Sequence, residues 1–184
     1  YKQKKTPDGE KEYLLVDGYN IIFAWPSLQS LARESLEHAR EKLIDILASY
    51  GKSKGYMRVL VFDAMYTEET EKSMKLGRDC EIIFTDKEET ADGRIEKLVY
   101  EHRNERRSIY VATSDGPEQN QILGTGAYRV TARELAEDVQ RCRQEMKQYE
   151  HTNVLTEGSG RNEVVYHVKN GDVLQKLEKI RRSK

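Results

Sequence analysis

Short apolar runs alternate with segments of helical periodicity along most of this chain. The apolar runs predict strands at residues 13–17, 57–63, 81–85, 108–113 and 127–130. Apolar residues at helical spacing predict helices at 36–50, 90–102, 117–123 and from 131 to about 149. The segment around Trp25-Pro26 is predicted as a loop, and Gly51 as a helix end. Because strands alternate with helices, we predict an α/β fold with a mostly parallel sheet packed on both faces.

Residues 13–150 are therefore expected to form one domain, flanked by the two ends of the chain. Residues 1–12 are rich in Lys, Glu, Gly and Pro without periodicity, which is typical of a linker or a frayed terminus. Residues 151–184 have a different texture, and we predict them to be a C-terminal extension. Within it, the sequence predicts a flexible link at 157–160, an edge strand at 164–168 and a small basic helix at 173–182.

Acidic side chains follow three of the predicted strands. Asp17, Asp63 and Asp115 come at these strand ends, and the carboxyl ends of parallel strands meet at one edge of a sheet. Asp92, in the first turn of the helix after the third strand, is a fourth candidate for that edge. Converging carboxylates repel one another unless a divalent cation lies among them, and oxygen ligands suit Mg²⁺ or Mn²⁺. Asn20 has three candidate roles, which are to orient a carboxylate, to hold a metal-bound water or to cap the loop.

Each of these acids also has an ordinary structural explanation. Asp17 can end its strand in an Asx-turn, and Asp63 can cap a turn or a helix. The helix dipole alone favours Asp92 in a first helical turn, and Asp115 is a natural N-cap before a Gly-Pro pair. The company of the other acids favours the metal site for Asp17 and Asp115. It leaves Asp63 open, and by itself it leaves Asp92 with the structural role.

Composition and charge limit the classes of partner. With 184 residues, 21.4 kDa and a formal net charge of −1, the chain has no global charge that attracts a polyanion, so basic groups must act locally. Cys80 and Cys142 form no CxxC pair, which favours a reduced, cytoplasmic protein. No apolar run approaches membrane-spanning length and no signal-peptide pattern occurs, so we expect no membrane partner.

Several common site motifs are absent from the sequence. There is no GxxxxGK[ST], which argues against a P-loop NTPase, and no GxGxxG after the first strand, which argues against dinucleotide binding. No HExxH or CxxC pair offers zinc ligands. A phosphoacceptor receiver domain would share the sheet and the strand-end acids, but no convincing lysine follows the fifth strand to complete its site.

Six blocks occur in a fixed order: LVDGYNII at 15–22, VFDA at 61–64, FT at 84–85, ETAD at 89–92, ATSD at 112–115 and GAYR at 126–129. Together they closely resemble the YacP-like branch of the NYN domain proteins, within the PIN-like nuclease superfamily. The resemblance covers residues 13–150, and the ordered set is far more specific than any single block. It implies a PIN-like three-layer α/β/α sandwich with a mostly parallel central sheet and metal-dependent endoribonuclease activity. In bacterial members of this branch it also implies cleavage of mRNA on the ribosome.

The resemblance also implies roles for individual residues. It places the family's metal-site acids at Asp17 and Asp92, with Asp63 and Asp115 beside them. Asn20 matches the asparagine that follows the first acid of the family. The ETAD block is what turns the interpretation of Asp92 from a helix-dipole residue into a metal ligand.

Candidate RNA contacts are local. Arg94, Arg129 and Arg133 lie near the predicted site edge, although charged residues in so polar a chain more often form a salt-bridged, solvated surface. Thr113 ends the fourth predicted strand and Ser114 follows it. Both are candidate phosphate donors and also ordinary strand-end residues, and Ser114 is the one we assign.

Four aromatic residues follow the first two strands, where exposed rings can stack unpaired bases: Tyr19, Phe23, Trp25 and Tyr66. Core packing is the more common fate of Phe23 and Trp25, whereas Tyr19 and Tyr66 stay open as base contacts.

These observations favour an endoribonuclease dependent on Mg²⁺ or Mn²⁺ that acts on mRNA, with the ribosome as a partner. The alternative is a non-catalytic RNA- or ribosome-binding module on the same fold, and a third interpretation is a metal-dependent phosphatase or receiver-like domain. Related domains also resemble the C-terminal extension of some elongation-factor-like ribosomal protection GTPases. The missing initial Met and the linker-like residues 1–12 fit excision from such a fusion.

Overall fold

The fold is seen in a computed structural model that describes residues 11–66, 73–114 and 126–160, with side chains as far as residue 152. In this part of the chain, six strands form one sheet with the order β3-β4-β2-β1-β5-β6. All neighbouring strands are parallel except β3 and β4. The strands are Tyr13–Asp17 (β1), Met57–Phe62 (β2), Ser73–Lys75 (β3), Cys80–Phe84 (β4), Ile109–Thr113 (β5) and Tyr128–Thr131 (β6).

Helices cover both faces of this sheet, so the predicted three-layer α/β/α arrangement is confirmed. On one face, Ile95 and Val99 of α4 pack with strand residues such as Leu15, Val61 and Val111 in a single apolar core. On the other face, α1 and α3 contact β2. The helices are Gly18–Ala24 (α1), Pro26–Glu34 (α2), Leu36–Lys54 (α3), Ala91–His102 (α4) and Ala132–Gly160 (α5).

The structure differs from the sequence-based prediction at several elements. The segment around Trp25 is not a loop, because α1 and α2 occupy it and meet at that residue. Helix α3 continues past Gly51 and ends at Gly55. Strand β3 was not predicted, because three exposed residues give no apolar signal. Helix α5 runs on to Gly160, where the sequence predicted an end near residue 149 and a flexible link. The predicted helix at 117–123 and the elements predicted after residue 160 lie outside the described residues.

The chain divides into two compact units, residues 1–139 and 140–184. The first unit contains the sheet, α1 to α4 and the first turns of α5, and the second contains the rest of α5. The predicted boundaries at residues 12 and 150 stay predictions. No helix in the described part of the chain is long and apolar enough to cross a membrane.

Gly51 lies inside α3 because a buried arginine passes close to it. A Cβ added at Gly51 would lie 1.8 Å from Cδ of Arg58, the second residue of β2. Arg58 is 7% exposed, and its guanidinium donates to the carbonyls of Ala48 (2.5 Å) and Asp79 (3.2 Å). Because Gly51 has no side chain, α3 packs closely on the sheet while Arg58 donates to backbone carbonyls on either side.

We expect Gly51→Ala to destabilise the fold by about 1–3 kcal/mol, because overpacking would displace Arg58. An alanine that replaces glycine inside a helix otherwise stabilises the helix by about 1 kcal/mol. The sign of the change in unfolding free energy therefore distinguishes the two effects. Urea unfolding measures the change, and Ser53→Ala, at an exposed position of the same helix, is the control. A Gly51→Ala variant that is more stable than the wild type would contradict this account.

Candidate active site

The strand order reverses next to β1. The chain passes from β1 to β2 and β4 on one side, and then returns to place β5 and β6 on the other side. In open α/β sheets, ligands bind outside the carboxyl ends of the strands at such a reversal. Asp17 ends β1 and Ser114 directly follows β5, so both lie at this point. The topology alone therefore marks this edge as the candidate site.

Asp17 is both the last residue of β1 and the N-cap of α1. Its Oδ1 accepts from the backbone N–H of Asn20 at 3.5 Å, and its Oδ2 accepts from Nδ2 of Asn20 at 2.9 Å. The close approach of α1 to the sheet requires Gly18, because a Cβ there would lie 2.2 Å from the ring of Phe62. The carboxylate is consequently 7% exposed and is held in one orientation.

Ser114 extends this arrangement across the strand reversal. Its Oγ donates to Oδ1 of Asn20 at 3.0 Å, while Nδ2 of the same carboxamide donates to Asp17. The two bonds fix which end of the carboxamide faces which neighbour. Asn20 and Ser114 therefore act as positioning residues for Asp17. Of the three roles considered for Asn20, this is the orientation of a carboxylate.

Asp92 approaches Asp17 from the start of α4. Thr90 caps this helix by accepting from the backbone N–H of Gly93 at 3.1 Å, which places Asp92 in the first turn. Asp92 lies close enough to Asp17 for one carboxyl group to act electrostatically on the other. Burial, together with the nearby Asp92, raises the pKa of Asp17 to about 7, against the opposing effect of the bonds from Asn20.

The donor set suits a hard divalent cation. Two carboxylates supply only oxygen ligands, and Mg²⁺ commonly binds through one or two carboxylates and keeps several waters. Burial first, and then the charge of Asp92, raise the pKa of Asp17 and so disfavour its ionised form, an effect that a bound cation would relieve. Within the described residues, no group of three or more His, Cys, Asp or Glu side chains is arranged to hold a metal. Among the described residues, the candidate metal ligands are therefore the carboxylates of Asp17 and Asp92.

Two further acids, Asp63 and Asp115, were predicted for this edge. Asp63 follows β2 and organises the short 3₁₀ turn Ala64–Tyr66, because its Oδ1 accepts from the backbone N–H of Met65 at 3.0 Å. This is the capping role that the sequence left open, and its role as a ligand stays a prediction. Asp115 lies outside the described residues.

The predicted RNA-binding arginines all have partners within the protein. Arg94 pairs with Glu89 at 3.3 Å, and Nη2 of Arg129 donates to the carbonyl of Ser114 at 3.4 Å. Arg133 pairs with Glu137 one helical turn away. Of these three arginines, Arg129 is therefore the one that bonds directly to a residue of the candidate site, Ser114.

The aromatic residues divide between core and surface. Tyr19 is 3% exposed, and its hydroxyl accepts from Arg40 at 3.1 Å, so its ring does not meet the exposure that its predicted base stacking requires. Trp25 is buried as expected, and its Nε1 donates to the carbonyl of Ala132. Phe23, expected in the core, is 43% exposed, and Tyr66 is 44% exposed.

Arg40 is the residue at this edge that sequence reasoning missed. It is 8% exposed, and its guanidinium lies 5.4 Å from the ring centroid of Phe84. The available signal was its position beside Ala39 and one turn before Leu43, within the apolar stripe of α3.

We predict that Asp17→Asn stabilises the metal-free protein at pH 8. A carboxyl with a folded-state pKa near 7 and an unfolded pKa near 3.8 contributes stability below pH 3.8 that is lost as pH rises to 7. Asparagine keeps one of the two acceptor oxygens and carries no charge. Urea unfolding in EDTA should show the variant more stable by up to about 4 kcal/mol at pH 8, with a smaller gap at pH 5. The same gap at both pH values would contradict the raised pKa.

Comparisons with known proteins agree with this architecture. The YacP-like NYN domain family matches residues 14–182. The Bacillus subtilis (strain 168) protein YacP is 47% identical over 129 residues, which are 70% of this chain and 75% of that protein. A crystal structure of Rae1 (YacP) from Bacillus subtilis superposes with a TM-score of 0.69 at 39% identity, covering 93% of this chain and 95% of that one. The crystal structure of a tryptophan-to-leucine mutant of Rae1 superposes with a TM-score of 0.66 at 37% identity, over 92% and 99%. The chain therefore belongs to the YacP-like NYN domain family, whose domains are of the nuclease type.

Proposed function

We propose that this protein is a metal-dependent endoribonuclease that cleaves mRNA in association with the ribosome. The single observation that carries the catalytic part is the proximity of Asp92, exposed at the start of α4, to the buried Asp17 at the strand reversal. Two adjacent carboxylates at the carboxyl edge of a nuclease-type domain supply the ligands and the negative charge that a divalent cation needs. The ribosome and mRNA enter through the family resemblance of the six ordered sequence blocks.

Each residue at the edge has a defined part in this proposal. Asp17 and Asp92 would hold Mg²⁺ or Mn²⁺, with Asp115 as a further predicted ligand, while Asp63 caps its own turn. When bound, the cation would supply a water of lowered pKa and neutralise charge on the phosphodiester. Asn20 keeps the carboxylate of Asp17 turned towards the edge, and the Ser114 hydroxyl holds Asn20 in place.

Arg129 is the basic group best placed to serve the substrate. Its Nη2 donates to the carbonyl of Ser114, so the guanidinium lies next to the residue that supports Asn20. Because the chain carries a net charge of −1, a positive group at the edge offsets the repulsion between the acids and an approaching phosphate.

We expect Asp17→Asn and Asp92→Asn each to reduce RNA cleavage by at least about 100-fold, more than the loss of a partner that only supports a ligand. The assay follows RNA ends from a sensitive mRNA in a translating extract. Asp45→Asn is the matched control, because this aspartate is exposed on α3 and contributes nothing to the edge.

Wild-type cleavage rates in both variants would refute the catalytic proposal. If the wild type does not cleave RNA but still sediments with ribosomes, the non-catalytic binding module is the correct function. Hydrolysis of small phosphoesters without activity on RNA would instead identify a phosphatase.

Metal binding gives a second test that needs no RNA. We expect Mn²⁺ to stabilise the wild type by about 2.7 kcal/mol at a hundredfold excess over its dissociation constant, and to leave Asp17→Asn unchanged. Thermal unfolding and titration calorimetry measure the two effects, with Asp45→Asn again as the control. Equal stabilisation of wild type and Asp17→Asn would place the metal elsewhere.

A further inference from the structure

Two exposed aromatic rings lie together at the carboxyl edge of the sheet. Phe23, in the last turn of α1, and Tyr66, at the end of the turn after β2, have ring centroids 5.9 Å apart in an edge-to-face arrangement. Both rings are more than two-fifths exposed, and the neighbouring Met65 is 74% exposed. Single exposed apolar residues are ordinary, but adjoining ones mark an interaction surface. We call Phe23 and Tyr66 the aromatic pair.

The aromatic pair stands on a rigid base. Tyr19 contacts both rings, with centroid distances of 6.3 Å to Phe23 and 5.0 Å to Tyr66, and is itself 3% exposed. The Tyr19 ring packs against Phe62 of β2, and its hydroxyl is held by the buried Arg40. The exposed rings therefore have fixed positions and would lose little freedom on binding a flat partner.

The same segments connect the aromatic pair to the candidate active site. Phe23 lies six residues after Asp17 in the helix that Asp17 caps, which is about 9 Å along the helix axis. Tyr66 ends the turn that Asp63 organises. With stacked nucleotides spaced about 3.4 Å apart, this separation corresponds to about three nucleotides.

We infer that the aromatic pair stacks unpaired bases of the RNA a few nucleotides from the scissile bond, an inference that rests on the proposed RNA cleavage. Every base presents a π-face, so such stacking selects single-stranded RNA over duplex without selecting a sequence. The acids at the edge cannot attract a phosphate backbone by themselves, so contacts with bases supply affinity where charge does not. Unpaired RNA is the partner whose chemistry fits fixed aromatic rings beside a phosphodiester site.

The test compares leucine substitutions that keep apolar volume but remove the π-face. The double variant Phe23→Leu/Tyr66→Leu should bind a fluorescent single-stranded RNA of about ten nucleotides about tenfold more weakly than the wild type. Anisotropy is measured in EDTA so that the RNA is not cut. An abasic strand of the same length should bind wild type and double variant equally, because it offers no bases.

Two further variants separate stacking from damage to the fold. Tyr100→Leu removes another exposed ring, on the last turns of α4, and should leave RNA binding unchanged. Phe23→Trp/Tyr66→Trp restores π-faces and should recover the affinity that leucine loses. Melting temperatures of all variants verify that Tyr19 and its neighbours stay packed.

The outcomes distinguish this inference from the proposed function. Unchanged RNA binding by the leucine variant, or equal loss for RNA and the abasic strand, overturns the stacking role even if cleavage occurs. Loss of stacking-dependent binding by the leucine variant, with no cleavage by the wild type, keeps the stacking role and refutes the nuclease. A wild type that binds no RNA overturns both. If only the oligomeric state changes in the leucine variant, the pair is a self-association surface and the inference is wrong.

Discussion

The contact between Asp17 and Asp92 is the constraint on which the carboxyl edge depends. One carboxyl is buried at the end of β1 and the other is exposed at the start of α4, and burial together with the nearby Asp92 raises the pKa of Asp17. Burial of a carboxylate beside another is unfavourable for folding, so the rest of the edge must hold the pair in place. The bonds from Asn20, the support from Ser114 and the close approach allowed by Gly18 do this.

This pair of carboxyl groups destabilises the folded protein locally, at the position where binding of a cation would be most favourable. Proteins commonly retain strained or repulsive groups at functional sites because the surrounding packing stabilises them. Here that packing includes β1, whose residues are all buried, and the apolar core between the sheet and α4. The buried Arg40 and Arg58 contribute on the opposite face, where each donates hydrogen bonds to a neighbouring element. The repulsive pair is therefore held by a rigid frame that extends through both faces of the sheet.

Much of the fold was predictable because its signals are local. The buried strands are continuous apolar runs, and the helices predicted from residues 90 and 131 begin with side-chain caps by Thr90 and Thr131. The short β3 was not predictable, because its three exposed residues give no apolar signal. The helices around Trp25 do have local signals, since Asp17 caps α1 and Pro26 begins α2, and the loop predicted there was wrong. Gly51 shows the limit of local signals: the residue type suggested a helix end, but its role is to make room for Arg58 from another element.

The sequence by itself determined the α/β class, the order of the five buried or half-buried strands along the chain and the family, since these follow from periodicity and from ordered motifs. It also placed acids after the strands that meet at one edge. Only the tertiary structure decided that Asp92 reaches Asp17, that Ser114 supports Asn20 across the strand reversal, and that Tyr19 is buried while Phe23 is exposed. Those outcomes depend on how α1 and α4 pack on opposite faces of the sheet, and packing between distant segments leaves no periodic signal in the sequence.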